Sequence, residues 1–197
     1  MMKLLAKVSV WDSMEINHFN IEIKARCRNS NRIRKILRQK KAEFMGVDHQ
    51  IDTYFSLPPS KGRLKLREGD IENSLIFYKR ENKRGPKKSD VFLVDKPGQG
   101  MKELLANVAG VKTVIDKRRE IYFIKNVKFH LDQVRGLGEF VGIEAISKSR
   151  NKGNGNGNGT IGRGILLKQV KEYMKLFEVG KEDLVSESYS DMPAGKN

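Results

Sequence analysis

The chain has 197 residues, 38% of them hydrophobic and 32% charged, and carries a net charge of +15, which suits one good-sized domain or at most two small ones and points to an anionic partner: a polyphosphate, nucleic acid or an anionic lipid surface. The single cysteine, Cys27, excludes an internal disulfide and fits a reducing, cytoplasmic setting. No apolar run is long enough to span a membrane.

Residues 1–17 read as an N-terminal extension. Lys7 interrupts Leu4, Leu5 and Ala6, Asp12 and Glu15 speak against a transit peptide, and Met14 is an alternative start. In HFNIEIKARC, Ile21, Ile23, Ala25 and Cys27 alternate with Asn20, Glu22, Lys24 and Arg26. That period of two predicts a strand over 19–28 with one apolar and one polar face. Asn29 or Ser30 caps a helix carrying Ile33, Ile36 and Leu37, expected to end at Gly46. GVDHQIDTYFSLPPSKGRLKLREGD predicts two strands around a Pro-Pro-Ser-Lys-Gly turn, and SLIFYKR a third. ENKRGPKKSD reads as a polar loop, and VFLVD as a short strand. A helix over 101–110 places Leu104, Leu105 and Val108 on one side. VKTVIDKRREIYFI and VKFHLDQV predict a hairpin turning at Lys125-Asn126, and EFVGIEAI a last strand. Residues 18–148 thus hold the strands. Residues 149–164, rich in Gly and Asn, read as a flexible linker. Residues 165–197 begin with a helix whose stripe, Ile165, Leu166, Val170, Met174 and Phe177, must dock on the body. About eight strands joined by mostly short loops, with three helices, predict an α+β fold with an antiparallel sheet.

The polar faces share a character. Arg63, Lys65 and Arg67 lie two residues apart; Tyr78 pairs with Arg80, Lys117 with Arg119, Lys128 with His130 and Asp132, and Phe140 with Gly142 and Glu144. Ordinary solvated faces mix signs so that cross-strand neighbours attract. A row of bases with a minority of carboxylates suits a polyphosphate with a divalent cation, the bases holding phosphate oxygens and the carboxylates the metal. A sheet closed into a barrel would gather these side chains around one tunnel.

Motifs in this order resemble the CYTH superfamily, which groups class IV adenylyl cyclases, thiamine triphosphatases and inorganic triphosphatases. NIEIKA is similar to the family's Glu-x-Glu-x-Lys signature, and QIDTYF, GRLKLRE, YKR, DKRRE and LDQVRGLGEF follow at fitting places. The resemblance covers residues 19–145, with the last helix and the SYSD ending at Asp191 also similar. It implies an antiparallel eight-stranded tunnel barrel with flanking helices. It also implies that Lys24, Arg63, Lys65, Arg67, Arg80, Lys117 and Arg119 bind a triphosphate. Glu22, Asp132 and Glu144 would face Mg2+ or Mn2+, and Glu22, Lys24 and Asp132 would serve catalysis. The expected substrate is ATP, thiamine triphosphate or tripolyphosphate, handled by a monomer or homodimer with no membrane and no nucleic-acid partner.

Two positions depart from the family pattern: Asn20 stands for its first signature glutamate and Gly142 for one of a Glu-x-Glu pair. An amide oxygen is a weaker cation ligand and glycine supplies none. Three readings follow: a class IV cyclase-like enzyme making cyclic AMP and pyrophosphate, a triphosphatase, or a catalytically impaired binder of polyphosphate or nucleotides. His130 reads as a wall or surface residue, Cys27 as a buried thiol, and Asp52 and Tyr54 as residues that fix the fold.

Overall fold

The computed structural model describes residues 18–148 and 161–193; the expected extension over 1–17 and most of the expected linker lie outside them. Eight strands form one closed antiparallel barrel: β1 (His18–Arg26), β2 (Glu43–Phe55), β3 (Arg63–Glu68), β4 (Ser74–Arg80), β5 (Lys87–Asp95), β6 (Val111–Ile124), β7 (Val127–Val134) and β8 (Gly138–Lys148). Their order around the wall is β1-β5-β4-β3-β2-β6-β7-β8. Helix α1 (Ser30–Gln39) links β1 to β2, α2 (Met101–Ala109) links β5 to β6, and α3 (Arg163–Leu176) follows β8.

The apolar core lies outside the barrel wall. Ile21, Ile23 and Ala25 of β1, Phe129 and Leu131 of β7, and Val141, Ile143 and Ala145 of β8 pack against Ile33 and Leu37 of α1 and against Leu166, Val170 and Phe177 at α3. Alternation along each strand therefore sends the polar face inward, and the barrel interior carries the charge. Asn29 caps α1, its side-chain oxygen accepting from Arg32 N–H at 2.9 Å.

Three elements differ from expectation. Helix α1 stops at Gln39 rather than at Gly46, because Lys41 turns into positive φ (55°) and Ala42 N–H bonds back to the Leu37 carbonyl. Gly46 instead lies in β2 beside a register shift, at φ 128°. Strand β5 starts at Lys87, inside the stretch read as a loop. Helix α2 forms where its period predicts, yet among the described residues none of its side chains is fully buried, and Val108 is 77% exposed.

Beyond α3 the chain crosses one end of the barrel. Leu184 bridges Ala25, and Val185 N–H bonds the Lys24 carbonyl at 2.9 Å. Ser188 and Tyr189 are buried there. Lys87 Nζ fixes this strap by bonding the carbonyls of Val185 (3.1 Å) and Ser186 (2.9 Å). The strap covers the rim where β1 ends and β3 begins.

Candidate functional site

A cavity of about 420 Å³ lies inside the barrel. Its basic lining is Lys24, Lys65, Arg67, Arg80, Arg119 and Lys128, and its acidic lining is Glu22, Glu72, Asp95 and Glu144. Ser188 and Tyr189 of the strap form its covered end. At the other rim, where β4 begins and β5 ends, Ile71, Ile76, Leu93, Phe123 and Ile146 line it.

Asp52 is fully buried and holds three of the expected phosphate ligands. Lys65 Nζ donates to its Oδ2 at 2.8 Å, Arg67 Nε to its Oδ1 at 2.8 Å, and Lys117 Nζ also to Oδ2. Burial by itself would raise the Asp52 pKa. The charges of Arg67, Lys117 and Lys65 outweigh that and hold it well below the usual carboxylate value. Burial pushes Lys65 down to about 8, with Arg67 adding to the effect.

A second anion, Glu72, reaches in from the loop after β3. Arg67 Nη1 donates to it at 2.7 Å, Gln50 Nε2 at 2.9 Å, and Lys128 Nζ also bonds it. Asp48 shapes that loop by accepting from the N–H groups of Ile71 and Glu72, both at 3.0 Å. Burial opposes ionisation of Glu72, but Lys128, Arg67 and Arg119 keep its pKa well below normal. The basic row is thus not left to repel itself in the absence of a bound polyanion: Asp52 and Glu72 partly neutralise it from within.

The other expected residues divide. Arg80 faces the cavity, paired with Glu22 and donating to Ser188 Oγ at 2.7 Å. Lys24 Nζ lies 3.5 Å from the Tyr189 ring centroid and donates to the Glu187 carbonyl at 3.2 Å. Burial, and then Arg80, push its pKa well below the usual lysine value. Three residues stand off the cavity wall. Arg63 is turned to Asp191, with Nη2 2.7 Å from Oδ2. Lys117 sits behind Asp52. Asp132 is enclosed: Arg119 grips it through Nε and Nη2, both at 2.6 Å, and Tyr189 OH donates to it at 2.8 Å.

Glu22 and Glu144 face each other across β1 and β8. Asn20, also buried on the inner face, has an Oδ1 with no hydrogen-bond partner. Among the described residues, no three His, Cys, Asp or Glu side chains converge as a metal-binding group. These donors do fit a hard cation that takes one or two carboxylates and completes its shell with phosphate oxygens and water. Glu22, Glu144 and Asn20 would hold it.

Sequence reasoning underrated His130. It is buried, and its ring bridges Asp132 (Nδ1 to Oδ2, 3.1 Å) and Glu144 (Nε2 to Oε1, 3.1 Å). Its cross-strand partner is Gly142. A Cβ at 142 would lie 2.0 Å from His130 Cε1, so only glycine leaves room for the ring. Gly142→Ala is expected to lose about 1–3 kcal/mol of stability in urea unfolding, as an overpacked interior does. His130→Ala in the same chain should restore most of it; a neutral single variant would contradict this packing. Glu72 and the strap residues gave no periodic signal, whereas the inward parity of Asp52 and Lys128 was readable from their strands.

The CYTH domain pattern matches residues 18–159. The chain belongs to the CYTH family. A Methanocaldococcus jannaschii protein named as a candidate adenylate cyclase is 24% identical over 181 residues, spanning 87% of this chain and 97% of its own. The solved structure of a Pyrococcus horikoshii protein is similar with TM-score 0.65 and 24% identity, covering 87% of this chain and 98% of its own. A Hippeastrum candidate adenylyl cyclase, described as having a dominant triphosphatase activity, has TM-score 0.50 and 13% identity, covering 87% of this chain and 92% of its own. Among the described residues of this CYTH chain, no helix is long and apolar enough to cross a membrane.

Proposed function

We propose that the barrel binds an organic triphosphate together with Mg2+ or Mn2+ and acts as a class IV adenylyl cyclase does, converting ATP to cyclic AMP and pyrophosphate. The observation that carries this reading is the polarity of a single cavity: Lys65, Arg67, Arg119 and Lys128 in its interior, with Ile76, Leu93 and Phe123 at the rim away from the strap. The phosphates lie among the cations, and the organic group rests on the apolar rim. Arg67 and Lys128 hold phosphate oxygens by charge-assisted hydrogen bonds. Arg80 and Lys24 bind the phosphates at the strap end. Glu22 and Glu144, with Asn20, would hold the cation, which would supply neutralisation of the phosphate charge. The covered end keeps water scarce around the reacting phosphate, so every charge there acts more strongly.

A second reading, hydrolysis of the terminal phosphate, is favoured by the Hippeastrum relative, whose described activity is of that kind. Phosphorus NMR with Mn2+ separates the readings, using ATP, thiamine triphosphate and tripolyphosphate in separate samples. Cyclic AMP with pyrophosphate is the expected result. Orthophosphate would make the protein a triphosphatase. Resonances that shift without turnover would make it a binder.

A further inference from the structure

Resting on the reading of the cavity as a triphosphate site, we propose that Glu72 sets the length of phosphate chain that the barrel accepts. It closes the row of cations on the side of the open mouth. A chain that continues there as an organic group fits, and one that continues as polyphosphate is rejected. Three observations carry this.

The first is which acid a ligand meets. Asp52 neutralises Lys65, Arg67 and Lys117 from behind the wall: it is fully buried and does not line the cavity. Glu72 does line it. Arg67 Nη1 lies 2.7 Å from Glu72 Oε2, Lys128 Nζ bonds Oε1, and Arg119 Nη1 lies 3.9 Å from Oε2. Glu72 thus sets a negative charge on the same cations that would hold phosphate. Glu22 and Glu144 lie on the opposite wall, on β1 and β8.

The second is position along the barrel. Arg67 is the last inward residue of β3 before the loop that carries Glu72, and Lys128 stands at the start of β7. Beyond them toward the mouth the described lining holds no lysine or arginine. It turns apolar, and the acid found there, Asp95, is again negative. Burial lowers the His18 pKa, so that ring is uncharged at neutral pH. At the other end the strap closes the cavity with Ser188 and Tyr189. Lys24 faces Gly142 on β8 and Lys128 faces Glu144, so the two lysines are two register positions apart. Two residues of strand rise give roughly 6.6 Å, room for a short phosphate chain. A longer chain can grow only toward the mouth, past Glu72, where like charges in a desolvated site repel strongly.

The third is rigidity. The buried Asp48 clamps the loop by accepting from the N–H groups of Ile71 and Glu72, both at 3.0 Å. A Cβ at position 69 would lie 2.7 Å from Asp48 Oδ2, so Gly69 lets that carboxylate close against the loop. Gln50 Nε2 donates to Asp48 at 2.7 Å and to Glu72 at 2.9 Å. A carboxylate held through both its backbone and its side chain does not step aside for an extra phosphate.

The test is calorimetry of the intact protein with tripolyphosphate and with tetrapolyphosphate at neutral pH, without added metal and again with Mg2+. The expected result is that the wild type binds tripolyphosphate about tenfold or more tightly than tetrapolyphosphate, although the longer chain carries more charge. In Glu72→Gln that preference should disappear or reverse. The two side chains are the same size, so its loss reports charge and not space. The wild-type ratio gives an answer even if the variant folds poorly. Tetrapolyphosphate bound by the wild type as tightly as tripolyphosphate would overturn the role of Glu72 and leave the triphosphate reading standing. So would a preference that survives in Glu72→Gln. No binding of either chain to the wild type, with or without Mg2+, would overturn both.

Discussion

Asp52→Asn is expected to destabilise the protein by about 3–5 kcal/mol, the usual result of removing one partner from a buried ion pair. The carboxylate is fully buried and holds Lys65, Arg67 and Lys117 at once. Its loss leaves three buried cations facing one another with only Glu72 nearby. Urea unfolding followed by circular dichroism measures the change. Tripolyphosphate should stabilise the variant more than the wild type, because it replaces the missing anion. The acid dependence follows from the same pairing. The folded-state pKa of Asp52 is depressed, so its contribution is present above the unfolded value of about 3.9 and is lost as pH falls below it. Asp132 and Glu72 are depressed as well, so stability should fall steeply below about pH 4. A loss under about 1 kcal/mol in Asp52→Asn, within the range of an exposed pair, would show that Asp52 is not the keystone of the cluster.

Lys65→Ala is expected to weaken triphosphate binding by about 1.5–3 kcal/mol, roughly tenfold to a hundredfold, the worth of a hydrogen bond to a charged group. Arg67 and Lys117 still neutralise Asp52, so the variant should fold. Calorimetry with tripolyphosphate measures the loss. The wild type should also show a pH signature, because burial sets Lys65 near 8. Only the ammonium form attracts phosphate, so affinity is full below about 8 and declines as pH rises through it, by up to about tenfold per pH unit. That decline should be absent from Lys65→Ala. Unchanged affinity in the variant would remove the triphosphate from this part of the barrel.

Much of the architecture was written into alternation. A period of two in β1, β3, β6, β7 and β8 told which residues share a face, although Arg63, Lys117 and Asp132 stand off the cavity wall that their strand neighbours line. It put Glu22 with Lys24, Lys65 with Arg67, and His130 with Asp132. Helix α2 shows where a period stops being informative. Its apolar stripe predicted the helix, yet among the described residues none covers Leu104 or Val108, because amphipathicity reports a capacity for burial and not a partner. Strand β5 shows another limit. Lys87 looked like loop because lysine favours water, but the barrel buries its stem and gives its ammonium two strap carbonyls.

By itself the sequence determined the family, an antiparallel sheet of about eight strands, and which charged residues share a strand face, since these depend on local periodicity and on motifs contiguous in the chain. Only the tertiary structure decided which charges meet. Asp52 lies 13, 15 and 65 residues from the three bases it joins, and Tyr189 reaches Asp132 across 57 residues. Closure of the barrel brings such groups within 3 Å, where low dielectric makes each pairing strong, and no one-dimensional pattern records that. The same holds for His130: its buried position between Asp132 and Glu144 depends on the missing Cβ of Gly142 on the adjacent strand, which matters only once β7 and β8 are in register.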